Sequence, residues 1–139
     1  MVQLIVGNKG KGKTKQLLEK VNTEIKTASG NMVYLDKSSK HMYELNNKVR
    51  LIDVSTYPLR NSHEFIGFVY GIISQDHDLE AMYLDSFLKI ACLEGQDVTD
   101  TLEQLQKIGD LFHITFTISI SLEEKDIPES MKECIVVSL

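Results

Sequence analysis

Short apolar runs alternate along the chain with longer stretches in which apolar residues recur every three or four positions, the pattern of strands interleaved with amphipathic helices. Val2 to Val6 reads as a short buried strand. The glycine-lysine segment after it runs into a helix whose inner face is marked by Leu17, Leu18, Val21, Ile25 and Ala28, with Gly30 as its stop. Met32 to Leu35, ending in Asp36, and Val49 to Val54, ahead of the Thr56-Tyr57-Pro58 break, predict two more strands. Asn61 and Glu64 have the spacing of a capping pair before a helix rich in Phe65, Ile66, Phe68, Val69, Ile72 and Ile73, apolar enough to be largely buried. Ala81 to Leu84, closed by Asp85, predicts the fourth strand. Val98, Leu102, Leu105 and Ile108 form another helical stripe that Gly109 closes, and His113 to Ile120 and Cys134 to Val137 predict the last two strands.

This alternation implies an α/β fold of three layers, with a mostly parallel central sheet of about six strands and helices on both faces, joined by right-handed crossovers. The chain has 139 residues and only two prolines, and no Gly/Ser-rich stretch divides it, so one domain over 1–139 is expected. Val2 to Val6 is too short for a signal-peptide core or a membrane span, which leads us to expect a cytoplasmic protein without membrane attachment. Cys92 and Cys134 are far apart and form no CxxC, so no disulfide is expected. Charge is uneven: residues 1–60 hold 11 Lys/Arg against 5 Asp/Glu, and residues 61–139 hold 4 against 15. An anion site in the basic half, a head-to-tail contact between copies, or uneven solvated surface each account for that split.

The candidate chemistry begins where the first strand ends. Gly7-Asn8-Lys9-Gly10-Lys11-Gly12-Lys13-Thr14 fits G-x-x-x-x-G-K-[ST] at every fixed position. Gly7, Gly10 and Gly12 allow backbone angles that let successive amides face one anion, and the helix starting near Lys13 adds free N–H groups. Lys13 is the charge for the β and γ phosphates, and the Thr14 hydroxyl is a hard ligand for Mg²⁺. Lys9, Lys11 and Lys15 form a positive collar that steers an anion or is simply solvated. The partner of such a loop is an acid at the end of a buried strand. Asp85 is the first choice for this metal role, with Asp36 and then Asp53 as competitors; a strand-end turn residue is the plain alternative for the others.

With these residues in place the chain resembles the RecA-like group of P-loop NTPases. The resemblance rests on the loop at 7–14, on Tyr34-Leu35-Asp36 and on Leu84-Asp85-Ser86, and extends by order of elements over most of the chain. It implies a three-layer P-loop NTPase fold in which the strand near 113–119 lies between the P-loop strand and the Asp85 strand, with Ser119 or Ser121 near the γ phosphate. It also implies a water-orienting glutamate after Asp36 or beside Asp85, yet Lys37-Ser38-Ser39 and Ser86 stand there. Glu80 reads as a solvated strand-start residue, and Asp36 could act on the water only if Asp85 takes the metal. Arg50 and Arg60 are the only arginines, and neither suggests an arginine finger.

The expected function is therefore binding of ATP with Mg²⁺, with slow or partner-activated hydrolysis resting on Lys13, Asp85 and Asp36. A nucleotide-sensing module without catalysis and a small-molecule kinase are the alternatives. A protein partner or a second copy is expected to read the nucleotide state. Nucleic acid is not, because net charge is −5 and no basic-aromatic stripe or recognition signature occurs. The guanine-reading [NT]KxD pattern is absent, which leans toward adenine. Asp76-His77-Asp78-Glu80 reads as a turn rather than a metal site, and His41, His63 and His113 as structural or surface residues.

Overall fold

In the computed structural model, which describes Met1–Leu139, ten main elements follow one another: β1 (Val2–Val6), α1 (Lys13–Glu24), β2 (Asn31–Asp36), β3 (Arg50–Asp53), α2 (Ser62–Ser74), β4 (Leu79–Leu84), α3 (Phe87–Ile90), α4 (Thr99–Phe112), β5 (Thr115–Ile120) and β6 (Ile135–Ser138). The strands form one sheet in the order β3-β2-β4-β5-β1-β6, and every pairing is parallel. All strand C-termini therefore lie along one edge. The loops leaving β1, β2, β4 and β5 converge there, which is where an open parallel sheet places its site.

Both sheet faces are covered, so the strands read as unbroken apolar runs, while alternate residues still divide between the two sides. Leu4, Val6, Val33, Leu35, Met82 and Leu84 join the larger core cluster, packed with Phe65, Val69, Leu102 and Leu105 of α2 and α4. Ile5, Met32, Tyr34, Ala81 and Tyr83 face the other way, onto Leu17, Leu18 and Val21 of α1. Helix α1 is the only main helix on that face, and the loop between β2 and β3 completes the cover through Leu45 and Val49. The site loop and the 37–49 loop are thereby neighbours.

Several local expectations change. Gly30 does not stop α1, which ends at Glu24 and continues as one 3-10 turn to Thr27. Instead Gly30 lets two loops meet, since a Cβ there would lie 2.3 Å from the Asp78 carbonyl oxygen. Its N–H donates to the Glu80 carboxylate, so Glu80, half-buried at the start of β4 and remote from the loop of residues 7–14, ties the two loops together. Asn61 Oδ1 accepts the Glu64 N–H at 2.9 Å as expected, but Glu64 reaches the N–H of Arg60, at 2.7 Å, and not that of Asn61. Helix α2 buries one face only, leaving Tyr70 exposed.

Gly109 does not end α4 either; the helix runs on to Phe112 and closes at His113, which adopts left-handed angles (φ 58°, ψ 46°). A Cβ at Gly109 would meet the Ile114 carbonyl oxygen at 2.7 Å and the Met1 nitrogen at 2.8 Å. Glycine is there for close approach. Ordinarily Gly→Ala inside a helix stabilises by about 1 kcal/mol. We expect Gly109→Ala instead to destabilise by about 2 kcal/mol, while Gly71→Ala in α2, with nothing within 4 Å of its added Cβ, stabilises by about 0.5–1 kcal/mol. Urea unfolding of the two variants checks the opposite signs.

Candidate functional site

The site grows from the turn between β1 and α1. Gly10 and Gly12 sit at φ 87° and φ 94°, a region that L side chains resist, and a Cβ on either would meet no neighbour within 4 Å. These glycines are required by backbone angle, not by crowding. Gly12 caps α1 without a side chain, and the first bond back to the loop runs from the Gln16 N–H to the Gly12 carbonyl at 3.2 Å. The amides of Lys13, Thr14 and Lys15 ahead of it form the open, positive end of the helix. The loop's start is pinned: Gly7 N–H donates to the Leu122 carbonyl at 2.8 Å and Asn8 Nδ2 to Glu123 Oε1 at 2.9 Å. That bond, with Lys125 nearby, holds the Glu123 carboxyl below its ordinary range.

Lys13 curls over the loop, its Nζ donating to the Asn8 carbonyl at 3.0 Å. It is only 8% exposed, and burial lowers its pKa, with Asp85 opposing the shift. A buried ammonium that is only partly compensated gains by meeting an anion.

Asp85 follows β4 and is the most heavily bonded group in the site. Its Oδ1 accepts the Ser119 hydroxyl at 2.6 Å, the Ser86 N–H at 2.9 Å and the Thr14 hydroxyl at 3.2 Å; its Oδ2 accepts the Tyr34 hydroxyl at 2.7 Å. Burial, together with the Asp85 charge, pushes the Tyr34 pKa up, which keeps that phenol a donor. Ser86 takes left-handed angles (φ 54°), a strained choice for serine, and in that conformation its N–H reaches both Asp85 and Ser119 Oγ, the latter at 3.1 Å.

Asp36, at the end of the neighbouring β2, is in the opposite condition. Its Oδ1 accepts the Lys37 N–H at 2.7 Å, but its Oδ2 is buried with no partner. Burial first, and then the Asp85 charge, raise its pKa, while the Lys37 N–H and His41 work against the rise. Asp53, the third candidate, is a turn residue: it accepts the Ser55 N–H and hydroxyl beyond β3 and does not reach the site.

A polar cavity of about 550 Å³ joins these groups. Gly10, Gly12, Lys13, Thr14, Asp36 and Asp85 line it, with Ser119 and Ser121 across from the loop, as the resemblance implied for the strand that is now β5, between β1 and β4. Lys9 contributes to the wall, but Lys11 does not, and Lys15 lines a separate groove along α1. Several groups escaped sequence reading. Tyr34, bonded to Asp85, was visible only as a strand residue; Lys40 and His41 come to the cavity wall from the loop after β2, Leu88 and Lys89 from α3, and Glu94 from the loop between α3 and α4. Only the Gly95 beside Glu94 (φ 72°) hinted at a turn. Arg50 opens β3, at the sheet edge opposite the cavity, and Arg60 is paired with Glu64 at 2.9 Å. The 76–80 acids form no metal cluster; Asp76 instead accepts the Asn31 amide at 3.0 Å.

No known protein family and no curated protein matches the chain by sequence. Among solved structures it is similar to the flagellar accessory protein FlaH from Methanocaldococcus jannaschii, with TM-score 0.59 over 93% of this chain at 14% identity. The match covers 63% of that protein, so the chain spans less than two thirds of its length. Identity this low speaks for the fold alone. The all-parallel six-stranded sheet with helices on both faces thus matches a RecA-like α/β fold. No helix is long and apolar enough to cross a membrane.

Proposed function

We propose that this chain binds a nucleoside triphosphate, ATP in the first instance, together with Mg²⁺, and hydrolyses it slowly or when a partner engages. The observation that carries the reading is the contact of Thr14 with Asp85 at 3.2 Å, at the mouth of a left-handed glycine loop that also presents Lys13.

The donor set suits magnesium: a hydroxyl and a carboxylate side by side, both hard oxygens, and a second carboxylate oxygen buried without a partner. Bound there, the metal would neutralise charge on the β and γ phosphates. Thr14 would be its direct ligand and Asp85 would hold its water, while Tyr34, Ser119 and Ser86 keep the Asp85 carboxylate in place. Lys13 would leave the Asn8 carbonyl for the phosphate oxygens, exchanging a neutral acceptor for a charged one. Asp36, with its open Oδ2 and raised pKa, is the group fitted to orient a water and take its proton.

Slow turnover follows from what surrounds that water. Glu80 is at the far edge of the sheet, Glu94 is exposed on the wall, and no arginine of this chain approaches. A protein partner or a second copy, in the cytoplasm, is the natural source of the missing charge, and the basic front and acidic back of the chain favour a head-to-tail arrangement. The test is phosphate release by the pure protein beside calorimetry with Mg-ATP. We expect binding with turnover well below 1 s⁻¹, under the 1–10³ s⁻¹ typical of enzymes. Absence of ATP binding overturns the reading. Binding with no release under any condition leaves the sensing module, and release that requires an acceptor molecule points to a kinase.

A further inference from the structure

Resting on the reading of the cavity as a triphosphate site, we propose that His41, positioned by Glu44, is the residue through which the protein distinguishes a triphosphate from a diphosphate.

His41 lies in the loop that leaves β2, and it lines both the phosphate cavity and the adjoining groove along α1. It is near enough to Asp36 for its charge to act on that carboxyl. Its Nδ1 is 2.8 Å from Glu44 Oε1, so Nε2 is the nitrogen left for a ligand. A carboxylate on one ring nitrogen and a phosphate on the other are both satisfied by the doubly protonated imidazolium, which donates to each. The arrangement places a ring nitrogen able to donate on the wall of the cavity that Asp36 also lines, where no arginine of this chain approaches.

Glu44 is itself held. Asn22 Nδ2 of α1 donates to the Glu44 carbonyl at 2.8 Å, and Asn22 Oδ1 accepts the Asn46 N–H at 2.8 Å. One α1 side chain thus clamps the end of the loop to the helix that begins at Lys13, so the imidazole is referenced to the phosphate loop and not to a free surface strand. The loop's basic residues Lys37 and Lys40 line the same cavity and attract any anion, but as solvated chains without fixed partners they provide attraction more than geometry. Met42 and Tyr43, between His41 and Glu44, are exposed, Tyr43 to 92%, so a shift of the imidazole toward a ligand would move an aromatic surface feature.

The experiment compares Mg-ATP and Mg-ADP affinities by calorimetry in wild type, His41→Ala and Glu44→Gln. We expect His41→Ala to lose about tenfold in ATP affinity, the scale of one hydrogen bond to a charged group, with ADP affinity changed less than about twofold. Glu44→Gln should move the ATP-to-ADP ratio the same way by a smaller factor. An unchanged ratio in His41→Ala, or equal losses for both nucleotides, overturns the proposal while leaving the triphosphate site standing. A wild type that binds neither nucleotide overturns the site itself.

Discussion

Replacing Lys13 with alanine is expected to lower Mg-ATP affinity by about 100-fold, the loss of a charged hydrogen-bond donor worth roughly 3 kcal/mol. The size of the effect follows from how the side chain is stored. In the structure Lys13 is 8% exposed and its ammonium is bonded only to the Asn8 carbonyl, so that neutral acceptor and the nearby Asp85 charge compensate its burial only in part. A bound triphosphate would relieve that condition, and alanine would remove the gain without disturbing the glycine angles that shape the loop. Folding should survive because a partly compensated buried charge contributes little to stability. Equal ATP affinity in variant and wild type, at matched thermal stability, would remove the loop from the site.

The second large effect separates the two aspartates. Asp85→Asn places an amide NH₂ where the carboxylate accepts from Tyr34, Ser119, Ser86 and Thr14, so at least one donor is turned against another. A loss of about 2–4 kcal/mol in stability and of most magnesium-dependent ATP affinity is expected. Asp36→Asn should do the reverse to stability. Its Oδ2 is buried without a partner and its folded pKa lies above the ordinary 3.8, so the ionised form weakens the fold at neutral pH.

The sign of the pH dependence follows. The penalty is full above the raised folded pKa, shrinks as pH falls through it, and is gone below the unfolded value near 3.8. Asp36→Asn is therefore expected to melt about 4 °C higher than wild type at pH 7, for roughly 1 kcal/mol relieved, with the gap closing toward pH 3.8. It should also abolish phosphate release while retaining most ATP binding. A variant less stable than wild type at pH 7 would mean that Asp36 has a partner, and stronger loss of magnesium-dependent binding than in Asp85→Asn would transfer the metal role to it.

The conformation of the loop was legible because it is local. Gly7 to Thr14, its strand and its helix are adjacent in the chain, and left-handed angles with a free helix end are properties of consecutive residues. The six strands were legible for a similar reason: sheets buried on both faces need apolar runs of four to six residues, and those runs stand between clear helical stripes. Gly30 and Gly109 were misread because a glycine that ends a helix and one that admits a neighbouring carbonyl look alike in sequence. The distinction is made by Asp78 and Ile114, residues outside the helix in question.

Sequence alone therefore determined the fold class, the glycine loop between β1 and α1 and the short list of strand-end acids, since each follows from residue type and spacing along one stretch of chain. Tertiary structure decided how the acids divide. Parallel pairing of β2, β4 and β5 brings Tyr34 and Ser119 onto Asp85 and leaves Asp36 open beside it, and the packing of the 37–49 loop against α1 carries His41 to the cavity wall. Spacing in the chain bears no information on such meetings, because the partners are 34 and 51 residues from Asp85 and the burial that distinguishes a satisfied carboxylate from an unsatisfied one exists only once the sheet has formed.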